Sequence, residues 1–240
     1  MQTPNAKRQM PDAPVLVCFA LEEEAAPFRK MAAGKSGISI LLTGIGRQNA
    51  EKSVRKFLAT NSPELVLTCG FAGGLNPDLA LGVVVFELTD RRGEFHEPQT
   101  EKKIGDSQSS SLREKLLAAG AKPAKFFCAD RIATTVAEKK RLRDETGADA
   151  VEMESAAIHA VCRERGSPCV TVRVISDTAS EDLPLDFNTL ANVDLSLNYG
   201  KLALAIAKSP QKIGALMKLQ KQTKAAAEKL AEILGKITAP

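Results

Sequence analysis

Four acidic side chains, set in three separate places along the chain, are of a type that could carry proton-transfer chemistry. Glu24 closes the run Glu22-Glu23-Glu24, Glu152 and Glu154 flank Met153, and Asp177 follows Ser176. Each place follows an apolar run, and in open α/β sheets ligands bind beyond the carboxyl ends of such strands. Gathered in one pocket, carboxylates can hold hydroxyl groups, deprotonate a water or stabilise a cation, and one kept protonated can donate. His96 and His159 are the only histidines, which excludes a His-rich zinc site and leaves a His-dependent triad poorly supported. Neither a metal nor a cofactor is expected.

Each motif also has a plain structural explanation. Acids in a first helical turn complement the helix dipole, which would account for Glu22 to Glu24. Gly73-Gly74 suits a tight turn after a strand, and Asp177 could cap a helix or turn. Glu152 and Glu154 resist this treatment, because an acid within an apolar context is costly unless it is paired or functional.

The elements that must position these groups alternate between short apolar runs and helical stretches, the signature of an α/β fold. Strands are expected from Val15 to Ala20, Ile38 to Thr43, Leu65 to Cys69, Val83 to Leu88, Lys125 to Ala129, Ala148 to Met153 and Cys169 to Ile175. Helices are expected from Glu23 to Met31, Gln48 to Ala59, Leu112 to Ala119, Val136 to Glu145 and Glu154 to Arg165, the last stopped by Gly166 and Pro168. The glycine stretch Gly70 to Gly74 reads as a turn and Arg91 to Ser111 as a polar loop. From Asn188 onward the chain reads as helical, ending in a Lys-rich amphipathic helix from about Gln211 to Leu234.

Composition narrows the field. At 240 residues, with 44% hydrophobic and 26% charged residues, one packed domain is expected. We place it over residues 14–208, after a disordered or extended segment 1–13 and before the basic helix of 209–240. The net charge is only +4 and aromatics make up 4%, so the basic surface and stacking platforms that nucleic acids need are scarce. The five cysteines have no CxxC spacing and four sit in apolar runs, as reduced core residues of a cytoplasmic protein do. No run is long enough to span a bilayer.

The stretches ALEEEAAPF, TGIGRQNA, TCGFAGGLNPDLALGVVVF, ADAVEMESAAIHAVCRERGSPCVTVRVISD and the following DFN run in order from residue 15 to about 188. In this combination the chain resembles the nucleoside phosphorylase and nucleosidase superfamily, and within it the 5′-methylthioadenosine/S-adenosylhomocysteine nucleosidase branch. The resemblance implies a three-layer α/β/α sandwich with a mixed, largely parallel twisted sheet, a small nucleoside substrate and a homodimer. It implies that Glu24 activates a water, that Glu154 holds the ribose hydroxyls, and that Met153 packs under the sugar with Glu152 close by. Asp177, supported by Ser176, would protonate N7 of the departing purine, and Ile45, Phe71, Gly73 and Ile132 would line the nucleoside.

Cleaving a purine N-glycosidic bond builds positive charge on the sugar and negative charge on the base, so carboxylates are needed on one side and a proton donor on the other. Asp177 would have to be held protonated by burial or by acidic neighbours. Two departures affect the base pocket: Phe71 stands where the branch carries a small hydroxyl residue, and Ile132 where it carries an aromatic. AGGLNPDL and ADRIATTVAEKKRLRDETGADAVEMES are closer to the hopanoid-associated subgroup, which acts on an adenosylated lipid. For the basic C-terminal helix, weak contact with an anionic membrane surface stands beside a plain solvated role. Phosphorolysis, which needs arginines on phosphate, and nucleoside binding without catalysis remain as alternatives.

Overall fold

The computed structural model describes residues 14–88, 107–192, 195 and 198–239. The strands are β1 (Val15–Phe19), β2 (Ile38–Leu42), β3 (Leu65–Gly74), β4 (Val84–Leu88), β5 (Lys122–Pro123), β6 (Phe126–Cys128), β7 (Ala150–Glu152) and β8 (Cys169–Asp177). The helices are α1 (Glu22–Ala32), α2 (Arg47–Leu58), α3 (Ser107–Ala118), α4 (Val136–Thr146), α5 (Ser155–Arg165), α6 (Phe187–Leu190), α7 (Tyr199–Lys208) and α8 (Ile213–Ile237). Among the described residues these strands form one sheet in the order β2-β1-β3-β8-β4-β5, with β7 on the end of β3 and β6 beside β7. β3–β7 and β4–β8 run antiparallel and the other pairings parallel, so the sheet is mixed and largely parallel.

Successive residues of β1 enter opposite cores, as the two-residue period of a strand covered on both faces requires. Val17 and Phe19 join Phe28 of α1 and Leu230 and Leu234 of α8 on one side. Leu16 and Cys18 join Val54 of α2 and Ile158 and Val161 of α5 on the other. Helices therefore cover both faces, which gives the expected three layers.

Three expectations are corrected. β3 does not stop at Cys69: it continues through the glycines to Gly74, because the end of β3 is hydrogen-bonded to β8 on one side and β7 on the other. The C-terminal helix is not a solvated or surface-lying rod throughout. Ala226, Ala227, Leu230, Ala231, Ile233, Leu234 and Ile237 are buried, so its second half is part of the core and only its first half is largely exposed. Between Asn188 and Gln211 the chain is broken into two helices and a 3-10 turn (Pro210–Lys212). The 1–13 segment and residues 91–106 of the expected polar loop lie outside the described residues; residues 107–111 form the first turns of α3.

Candidate active site

The three acids of the first run have separate environments. Glu22 pairs with Arg29 on the surface at 2.8 Å and Glu23 is exposed, whereas Glu24 is buried. From the first turn of α1, Glu24 Oε2 accepts the backbone N–H groups of Ala20 and Leu21, each at 3.0 Å. Its Oε1 accepts that of Phe71 at 2.8 Å, which ties the helix to β3. Gly70 makes this approach feasible: a Cβ there would lie 2.6 Å from Glu24 Oε1 and 2.8 Å from Arg173 Nη1. Burial raises the Glu24 pKa, opposed by the charge of Arg173 and the three N–H donors. A base with a raised pKa accepts a proton more strongly.

Arg173, near the middle of β8, is fully buried and organises the acids. Its Nη2 donates to Thr68 Oγ1 at 3.1 Å and forms ion pairs with Glu152 at 2.7 Å and Glu154 at 3.3 Å. Glu152, ending β7, also accepts the N–H groups of Glu154 and Ser155 and the Ser155 hydroxyl, so it serves as the anchor of α5. Burial raises its pKa, but Arg173 and these donors outweigh that and hold it below the usual carboxylate value. Glu154 has fewer donors. Its Oε1 accepts Gly46 N–H at 2.8 Å, and burial, only partly offset by Arg173, pushes its pKa up to about 7. The two acids of VEMES thus divide their work, one structural and ionised, one poised near neutrality. Met153 between them is buried.

Asp177 ends β8 on a bulge. Ala72 pairs with Ile175 but Gly73 pairs with Asp177, leaving Ser176 as the extra residue, and bulges of this kind re-aim side chains beside active sites. Ser176 Oγ donates to Asp177 Oδ1 at 2.8 Å. A Cβ on Gly73 would lie 3.3 Å from Asp177 Oδ2 and 3.2 Å from Val151, so glycine admits the carboxylate next to the strand that carries Glu152. The expected acidic neighbours are absent among the described contacts of Asp177; a cation takes their place. Lys139 of α4, 0% exposed, puts Nζ 2.6 Å from Asp177 Oδ2. Its N–H groups are directed at the carbonyls of Thr178 and Glu181, each at 2.7 Å, so the contact to Asp177 is ionic and not an aligned hydrogen bond.

The remaining residues form the surroundings. Ile45 is half-buried, its carbonyl accepting from Asn49 beside the Gly46 contact to Glu154. Ile132 is half-buried and its backbone is clamped on both sides by the Asn188 side chain at 2.9 Å, which explains the role of the DFN motif. Phe71 packs its ring against the α1/α8 core and offers only its N–H to the acid cluster. Arg47, the one arginine of the GIG segment, is engaged by Asp130 and the Cys128 carbonyl. The structure therefore gathers Glu24, Glu152 and Glu154 around Arg173 and sets Asp177 with Ser176, Gly73 and Lys139 at the neighbouring end of β3.

Arg173, Lys139 and Asn188 were not predicted. A lone arginine inside CVTVRVI was the available signal, since a buried charge demands partners. Among the described residues, the buried side-chain polar atoms without a hydrogen-bond partner are Arg173 Nε and Asp177 Oδ2, both in this cluster. Both belong to charged groups held by ion pairs, Asp177 Oδ2 with Lys139 and Arg173 with Glu152 and Glu154. A cleft of about 500 Å³ bordered by Asn61, Glu64 and Arg165 lies instead at the amino ends of β3 and β8, away from these groups.

Comparison with known proteins identifies the family and the fold. The family model described as the phosphorylase superfamily matches residues 19–207. A 5′-methylthioadenosine/S-adenosylhomocysteine nucleosidase of Shewanella halifaxensis is 29% identical over 172 residues, covering 65% of this chain and 74% of the relative. An aminodeoxyfutalosine nucleosidase of Helicobacter pylori is 26% identical over 203 residues, covering 73% and 84%. Among solved structures, the 5′-methylthioadenosine/S-adenosylhomocysteine nucleosidase of Neisseria meningitidis, in complex with methylthio-immucillin-A, superposes with a TM-score of 0.64 at 21% identity, over 94% of this chain and 98% of that one.

Proposed function

The chain belongs to the phosphorylase superfamily, and from that premise we propose that it is a purine nucleosidase, hydrolysing the N-glycosidic bond of a 5′-substituted adenosine to release adenine. The observation that carries this reading is the pairing of opposite charge environments: three buried carboxylates share the single cation Arg173, while Asp177 has a lysine of its own. The first group has negative charge in excess of what Arg173 neutralises, which stabilises a sugar cation. The second faces a base that gains negative charge as it leaves.

In this reading Glu24 takes a proton from water and Glu154, when ionised, accepts from the ribose hydroxyls. Asp177, which must be the carboxylic acid when the bond breaks, gives its proton to N7, and the Lys139 ammonium at 2.6 Å stabilises the carboxylate that forms. Phosphorolysis is disfavoured, because Arg47 and Arg173 are already engaged and the Glu24 carboxylate would repel phosphate. We further propose a homodimer, on the resemblance, and a cytoplasmic setting, which the five unpaired, buried cysteines favour. The test is to incubate the protein with methylthioadenosine, S-adenosylhomocysteine and adenosine and follow free adenine. Release from at least one supports the reading, and release from none of them or of any 5′-extended adenosine contradicts it.

A further inference from the structure

α7, the Pro210–Lys212 turn and the first half of α8 follow one another along the chain and are largely exposed. The three most exposed large apolar side chains of the described residues all lie on this segment, Leu204 at 56%, Ile213 at 43% and Met217 at 66%. Ile213 and Met217 are one helical turn apart, and the small residues Ala203, Ala207 and Ala215 around them are also exposed. The same segment carries Lys201, Lys208, Lys212, Lys218, Lys221 and Lys224, and from residue 195 to residue 227 the sequence contains no Asp or Glu. Lys201 is tied to the Ala191 carbonyl and Lys218 to Glu181, while Lys208, Lys212, Lys221 and Lys224 are exposed.

Large apolar side chains about half in water, on a stretch whose own charges are all basic, mark an interaction surface. A second copy of the chain is a poor occupant, because a two-fold interface sets a patch against itself and would oppose lysines with lysines. No described helix is long and apolar enough to cross a membrane. We propose that this exposed basic segment docks on the surface of an anionic lipid bilayer. Leu204, Ile213 and Met217 enter the headgroup boundary and the lysines pair with lipid phosphates, their stems covering the apolar rim.

The full chain is tested by flotation with vesicles of phosphatidylglycerol and phosphatidylcholine, and with vesicles of phosphatidylcholine alone. Binding is expected on the anionic vesicles, weaker by about tenfold or more on the neutral ones and at high salt. Leu204→Glu with Met217→Glu, and separately Lys208→Glu with Lys212→Glu, should each cut binding by roughly tenfold while thermal melting stays that of the wild type. Equal binding by wild type and both variants overturns the proposal, as does absence of wild-type binding. A wild-type dimer in solution that binds no vesicle, and that Met217→Glu dissociates, assigns the patch to a second copy and likewise overturns it. None of these readouts depends on enzymatic activity.

Discussion

At the scale of single residues, the site separates groups that hold charge from groups that move protons. Asp177→Asn keeps the side chain's size and its contacts with Ser176 but cannot supply a carboxyl proton, so adenine release should fall by about 10²–10⁴-fold with circular dichroism unchanged. Lys139→Met should lower kcat more than it changes KM, because Lys139 touches Asp177 and not the sugar end of the site; equal changes in both would remove its positioning role. Glu154 provides a pH signature. Its ionised form is the active one and its pKa is about 7, so kcat/KM should rise with pH through neutrality, and Glu154→Gln should abolish that limb along with most activity. The same raised pKa destabilises the fold as pH climbs from 4.5 through about 7, since the unfolded acid ionises first. Glu24, Glu154 and Asp177 were legible in the sequence because each follows an apolar run. Lys139 was not: its helix, VAEKKRLRDET, is charged almost throughout, and only the tertiary fold selects which lysine is buried.

At the scale of elements, β3 and α8 show where pattern gives out. Glycines after an apolar run signal a turn locally, yet here β3 needs them as strand residues so that two carboxylates can approach its backbone. Gly70→Ala should therefore be destabilising and inactivating, since its φ of +144° is strained for any other residue and the new methyl would meet Glu24 and Arg173. In α8, even lysine spacing hides a change of environment midway along the helix. Leu230→Ala should cost about 2–5 kcal/mol by opening a cavity in the core, whereas Met217→Ala should stay within roughly 0.5 kcal/mol, as chemical denaturation would show. Similar losses at both positions would mean that the first half of α8 is packed as well.

At the scale of the whole molecule, the α/β alternation predicted the strand succession, because every strand but β5 carries a clear apolar run, whereas the three layers were what the family resemblance implied. The mixed sheet order and the burial of α8 depend on long-range packing that no local period encodes. One group of α5 opposes the Glu154 trend, contributing stability that is lost on acidification. His159, buried in α5 and hydrogen-bonded to Thr171, has its pKa lowered to about 4 by desolvation, against 6.5 unperturbed. The unfolded chain thus takes up its proton first, and up to ~3 kcal/mol is lost as pH drops from 6.5 to about 4, a loss that His159→Gln should reduce. The central claim is that water, activated by Glu24, displaces adenine. It is tested most directly by running the reaction in ¹⁸O-labelled water containing phosphate and weighing the sugar product. One ¹⁸O is expected at the anomeric position; a sugar 1-phosphate without the label would contradict hydrolysis.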